Sequence, residues 1–281
     1  MVSSSPFSSV PPRVLTIAGS DTSGGAGIQA DLKTLSACGT YALTAITALT
    51  AQDPGGVQGM WQVSPEQLRI QIDAALAYQP VAIKVGMLAT AALVDVVADT
   101  LASCPGVPLV LDTIVSASSG ARLLDDDGIV ALRERLLPRA TLVTPNRQEA
   151  RIIAGSDNEA ALQRWAREHG VSVLLTGGDS SGLTSAGEAR FCTDVLIMHD
   201  SIEHLTLPRV ETPNSHGTGC TLTAAIAAFL AHGFPLPEAV QHGRQFVHRA
   251  LQAAAPQAWP GCGPLNHFFA FGSNTAQENA P

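Results

Sequence analysis

Charged and aromatic residues are scarce in this chain of 281 residues, at 14% and 5%. Acids outnumber bases, 24 to 16, which leaves a formal net charge of -8 and a pI near 5.4. No Lys/Arg cluster or basic stripe occurs, which argues against a nucleic-acid or anionic-membrane partner. The five cysteines, Cys38, Cys104, Cys192, Cys220 and Cys262, contain no C-x-x-C pair. Neither a disulfide framework nor a structural zinc site is expected, and a reducing cytoplasm fits best. The most apolar window, 221–231, is far short of the ~20 residues of a membrane-spanning helix. Residues 1–12 lack both the basic start and the apolar core of a secretory signal, so they and 270–281 are expected to be flexible tails. Also missing are the G-x-G-x-x-G and G-K-[ST] glycine motifs, which disfavours dinucleotide-binding and P-loop readings.

What is present is a regular alternation of short β-branched runs and helical patterns. Strands are expected at 13–18, 41–50, 81–85, 107–111, 141–143 and 171–175. Helices are expected at 28–37, 65–78, 91–102, 125–136 and 160–169. That spacing implies an α/β fold with a mostly parallel sheet covered on both faces. Between Ser180 and Pro208 the runs 188–192 and 195–198 suggest antiparallel edge strands, and after Gly217 the chain is mainly helical. With no internal repeat and no linker, one domain over 13–269 is the expectation.

The stretch Asn214-Ser215-His216-Gly217-Thr218-Gly219-Cys220-Thr221-Leu222 feeds a small-residue helix. A glycine-flanked helix start leaves backbone N–H groups unpartnered where the dipole favours negative charge, which makes an anion hole. Cys220 sits within it, and the helix N-terminus is expected to lower its thiol pKa. A glycine-rich entry around a buried structural cysteine is the plainer alternative. A covalent thiol activated by His216 is disfavoured, since no Asp or Asn is visibly placed to orient the imidazole. Strand ends deliver further polar groups: Asp31 after the glycines at 24, 25 and 27, Gln52, Asp112, Asn146 with Glu149, and Thr176-Gly177-Gly178-Asp179. Ligands of open α/β sheets bind at such ends. Read alone, Asp31 is equally a solvated helix charge, Gln52 a loop residue and Glu149 a first-turn acid favoured by the dipole.

Four segments, Ala18 to Thr34, Ile46 to Gln52, Lys84 to Leu88 and Ser215 to Leu222, closely resemble the hydroxymethylpyrimidine/phosphomethylpyrimidine kinases of thiamine biosynthesis, a branch of the ribokinase-like kinases. The resemblance runs from about Arg13 to Phe268 and includes Gly263-Pro264-Leu265-Asn266-His267-Phe268. It implies a three-layer α/β/α fold and ATP-dependent phosphorylation of 4-amino-5-hydroxymethyl-2-methylpyrimidine and of its monophosphate. By that resemblance Gly19, Asp31, Gln52 and Met87 line the pyrimidine site, and Cys220 is the candidate general base. The amides of Gly217, Thr218 and Gly219 join that of Cys220 in stabilising the transferred phosphoryl group. Asn146, Thr176 and Gly178 fall on the nucleotide side, and Asp112 and Glu149 on the magnesium side. A cytoplasmic homodimer is implied as well. One departure stands out, because the family motif K-G-G-H reads Thr176-Gly177-Gly178-Asp179 here. Pyridoxal or pyridoxine kinase and a catalytically weak pyrimidine-binding sensor are the rival readings, with Gln52 and the S-G-G-A-G-I-Q-A-D run favouring pyrimidine.

Overall fold

The computed structural model describes residues 10–116, 122–177 and 191–271. Nine strands form one sheet in the order β3-β2-β1-β4-β5-β6-β7-β8-β9. Strands β1 (Arg13–Asp21), β2 (Tyr41–Asp53), β4 (Ala82–Val85), β5 (Leu109–Leu111), β6 (Leu142–Val143) and β7 (Ser172–Leu175) run parallel. Antiparallel strands close both edges: β3 (Gly56–Gln62) on one, β8 (Phe191–Ile197) and β9 (Ile202–Pro208) on the other.

Successive strand residues alternate between two cores, as the period of two requires. Leu15, Ile83, Leu111, Val143 and Val173 face one side, and Val14, Ala82, Val110, Leu142 and Leu174 face the other. The first core is covered by α2 (Pro65–Leu76), α3 (Ala91–Leu101), α4 (Asp126–Ala131), α5 (Arg147–Ala154) and α6 (Glu159–His169). The second is covered by α1 (Gly27–Ala37), α7 (Thr218–Ala231) and α8 (Leu236–Ala254). These three layers bear out the α/β/α expectation.

Helix starts follow local chemistry. Ser64 and Gln67 form a capping box on α2, as do Asn146 and Glu149 on α5, while the Asn158 side chain caps α6.

Several sequence expectations change. Residues 51–53, read as a loop, extend β2 and pair with β3, which the sequence did not reveal because Gly56 and Gly59 interrupt its pattern. The Trp61 ring lies over Gly59, where a Cβ would sit 2.7 Å from it. The two short runs expected after Ser180 give one strand within the described residues, β8, whose antiparallel partner is the unanticipated β9. The helix expected over 125–136 is α4 followed by a π turn at Leu132–Leu136.

Candidate active site

All six parallel strands point their C-terminal ends at one edge of the sheet, and the candidate residues gather there. Gly19 lies where the β1–β2 register slips between Ala18 and Ser20. It packs directly on Met87, since a Cβ at Gly19 would meet the Met87 Cε at 2.4 Å. The Thr47 hydroxyl donates to the Met87 carbonyl at 2.7 Å, and the Thr50 hydroxyl to the Ser20 carbonyl at 2.9 Å. Gln52, half-buried, follows on the same strand. Gly19, Met87 and Gln52 therefore sit on the ends of β1 and β2 and the loop after β4.

Asp31 is neither solvated nor turned toward an open pocket. It is fully buried, receives the Lys84 ammonium at 2.9 and 2.8 Å on its two oxygens, and accepts from the Thr16 hydroxyl at 2.6 Å. Thr16 and Lys84 are register neighbours on β1 and β4, so Asp31 of α1 closes over both strands at once. Burial pulls the Lys84 ammonium toward neutrality, but Asp31 outweighs it and holds the lysine charged. The sequence signal for this was a lone lysine within the apolar strand A-I-K-V, a position no uncompensated charge occupies.

Helix α7 opens at Gly217, whose φ of +83° favours glycine and which has no side-chain cap. A Cβ on Gly217 would lie 1.8 Å from the Gly25 carbonyl oxygen, so the two glycine loops touch through backbone. The Thr221 amide donates to the Gly217 carbonyl at 2.9 Å and begins the helical ladder, which leaves the amides of Gly219 and Cys220 without intrahelical acceptors; the Thr218 amide, expected to join them, donates instead to the Ser215 carbonyl at 3.3 Å. The Thr221 hydroxyl also donates to the Gly217 carbonyl at 2.8 Å and accepts from buried His267 at 2.9 Å. Asn214, also buried, donates to the carbonyls of Ala254 and Gln257 at 2.7 and 2.8 Å, tying the approach to α7 to the end of α8.

Cys220 occupies the first turn of α7 and is buried. Here the expectation of a lowered thiol pKa is overturned. Burial pushes the thiol up to about 12, and the carboxylates of Asp112 and Asp31 add to this, against the pull of Lys84 and the Gly27 amide. Desolvation of a thiolate outweighs a helix dipole that is worth about a kcal/mol. Cys220 is a neutral thiol in this state.

Asp112, just past β5, faces Cys220 and Thr223. Its Oδ2 is buried without a hydrogen-bond partner. Burial pushes its carboxyl up to about 6, against Lys84 and with Asp31. Glu149 is raised to about 7 by burial and then by Asp112. It also accepts from the Asn146 amide at 3.0 Å, so its capping role and its place beside Asp112 coexist. Two mutually repelling carboxyls with one orphaned oxygen form an oxygen-donor set that suits a hard divalent cation. Thr176 bridges in parallel to Asn146 and its amide donates to the Pro145 carbonyl at 2.9 Å, which brings together these two residues expected on the nucleotide side. Gly178 and Asp179 lie outside the described residues.

The expectation that nothing orients His216 also fails. Its Nε2 lies 2.8 Å from Asp21 Oδ2, a partner hidden from sequence by a separation of 195 positions.

The profile of the phosphomethylpyrimidine kinase family matches residues 21–266. The hydroxymethylpyrimidine/phosphomethylpyrimidine kinase of Rhizobium meliloti (strain 1021) is 44% identical over 263 residues, covering 90% of this chain and 96% of that protein. The Escherichia coli (strain K12) protein of the same name is 40% identical over 261 residues, covering 92% and 97%. Among solved structures, the pyridoxal kinase from Staphylococcus aureus in complex with ADP superposes with a TM-score of 0.81 at 30% identity, covering 95% of this chain and 96% of that one. A phosphomethylpyrimidine kinase from Clostridium difficile 630 gives 0.72 at 34% identity, covering 85% and 99%. Sequence and overall fold thus agree over most of the chain, and this ribokinase-like kinase belongs to the phosphomethylpyrimidine kinase family.

Proposed function

We propose that the protein transfers the γ-phosphoryl group of ATP to the hydroxymethyl group of 4-amino-5-hydroxymethyl-2-methylpyrimidine and then to its monophosphate. The observation that carries this reading is the convergence of the Gly217–Cys220 turn, Asp112 and the Gly19/Met87 shelf at one sheet edge, in a chain of this family. Gly19 and Met87 offer a flat apolar shelf for the ring, and Gln52 an amide for its polar edge. The amides of Gly219 and Cys220 in the first turn of α7 face the transferred phosphoryl oxygens, where charge stabilisation counts most; that of Thr218 is taken by the Ser215 carbonyl.

Cys220 meets the substrate hydroxyl as a neutral thiol. Phosphoryl transfer through a loose transition state asks little of the nucleophile until bond breaking is advanced. A neutral thiol cannot hold a second proton, so Cys220 acts as a relay: it passes its own proton to the Asp112 carboxylate it faces and takes up the hydroxyl proton as the bond to the γ-phosphorus forms and that to ADP breaks. Asp31 holds Lys84 in place rather than pairing with the ring, so its service to the pyrimidine site is indirect.

Asp112 and Glu149 are the residues that would hold magnesium, with the orphaned Asp112 oxygen as the fitting donor. A bound magnesium ion would offset phosphate charge beside the α7 amides. Asn146 and Thr176 serve the nucleotide, a role the family resemblance also implies for Gly178. Residues 13–269 act as one catalytic unit, in a cytoplasmic homodimer. Among the described residues no helix is long and apolar enough to cross a membrane.

The test is ADP release by purified protein with magnesium-ATP and, separately, the hydroxymethylpyrimidine, its monophosphate and pyridoxal. Turnover with both pyrimidines is expected; turnover with pyridoxal alone would transfer the assignment to that substrate, and binding without turnover would make the protein a sensor.

A further inference from the structure

Asp21 ends β1 and His216 precedes α7, yet both are nearly buried, with side chains 6% and 15% exposed. The Asp21 carboxylate is a hub. Its Oδ1 accepts from the Ser23 amide at 3.0 Å, and its Oδ2 accepts from the Ser23 hydroxyl at 2.7 Å and the Ala26 amide at 2.8 Å. The same Oδ2 receives His216 Nε2 at 2.8 Å. Burial pushes this carboxyl up, but the hydrogen bonds from His216, Ser23 and Ala26 outweigh it and hold it well below the usual carboxylate range. His216 is held from its backbone too, its amide donating to the Gly263 carbonyl at 3.0 Å. Its ring fills the space above Gly25, where a Cβ would meet Cδ2 at 2.5 Å.

Three chain segments thus meet at one imidazole: the glycine loop after β1, the entry to α7 and the closing loop at Gly263. The first follows directly on the Gly19/Met87 shelf, and the second carries Cys220 and the anion-holding amides. We propose that the Asp21–His216 contact is a positioning device that fixes the glycine loop against the start of α7 and so sets the register between the pyrimidine hydroxyl and the phosphoryl group. The inference rests on the kinase reading above. Neither residue is assigned a proton-transfer step; a displacement of about 1 Å between the two loops is enough to cost ~100-fold in rate.

The test separates kcat from affinity. His216→Leu is expected to lower kcat about 30- to 100-fold, while pyrimidine Kd and the KM for magnesium-ATP stay within about three-fold. His216→Gln, whose amide N–H reaches toward the same carboxylate, is expected to recover most of the loss. Asp21→Asn, close in shape, is expected to match His216→Leu, and the double variant to lose little more than either single one, as residues acting as a unit do. A His216→Leu kcat within two-fold of wild type, a rise in KM alone, or multiplicative losses would overturn the proposal. If His216→Leu fails to fold by circular dichroism, Asp21→Asn carries the same comparison. Hydrogen exchange of the amides of 23–27 and 218–221 reads the contact without turnover. Both sets should exchange faster in His216→Leu and Asp21→Asn but not in His216→Gln, and unchanged exchange would refute the contact. A wild type that releases no ADP with any alcohol would count against the kinase reading, and the exchange data would still decide the contact.

Discussion

Cys220→Ala is expected to lower kcat about 100- to 10,000-fold and leave pyrimidine affinity within a few-fold, because a proton acceptor acts in the transition state. Steady-state kinetics with calorimetry check it, and near-normal kcat would reduce Cys220 to packing. Glu149 has the opposite linkage sign to a salt-bridged carboxylate. Its value rises from 4.5 to about 7 on folding, so the folded protein keeps a proton that the unfolded chain releases. Stability from this group is present below pH ~4.5 and falls as pH rises through about 7, by about 1–3 kcal/mol in all. Thermal melts without magnesium should therefore show wild type losing more stability between pH 5.5 and 8 than Glu149→Gln. Added magnesium should raise the midpoint at pH 8 in wild type and less in the variant; equal slopes for both proteins would contradict the burial of this carboxyl.

Among the elements, β1, β4 and α1 are joined by a charge pair that no water reaches. Asp31→Ala leaves the Lys84 ammonium buried and unpaired, so a loss of about 3–5 kcal/mol in unfolding free energy is expected, with activity lost through disorder at the site. The double variant Asp31→Leu/Lys84→Met removes both charges and is expected to recover most of that stability by urea denaturation. If Asp31→Ala is as stable as wild type but binds pyrimidine weakly, Asp31 contacts the ring after all. The sequence placed Asp31 on the right helix, but its partner is 53 residues away on another strand, and only strand pairing brings them together.

For the whole molecule, the proposed nucleotide role of Thr176 gives a test at the far end of the sheet edge. A neutral hydroxyl replaces a charge-assisted donor of roughly twice the strength, so Thr176→Lys is expected to lower the KM for ATP or raise kcat several-fold without changing pyrimidine affinity. If wild type shows no ADP release at millimolar ATP and Thr176→Lys restores none, the sensor reading replaces the kinase. The alternation of strands and helices, the mostly parallel sheet, an antiparallel strand near β8 and the helix entry at Gly217 were determined by the sequence alone, because periodicity and glycine act over neighbouring residues. Edge strands β3 and β9 escaped it, since glycines and polar residues break their alternation and pairing across the sheet supplies what local pattern lacks. Tertiary structure alone decided the charge states and partners at the site. The neutral thiol of Cys220, the raised carboxyls of Asp112 and Glu149, and the pairs Asp31–Lys84 and Asp21–His216 depend on desolvation and on contacts between distant segments, which no local pattern encodes.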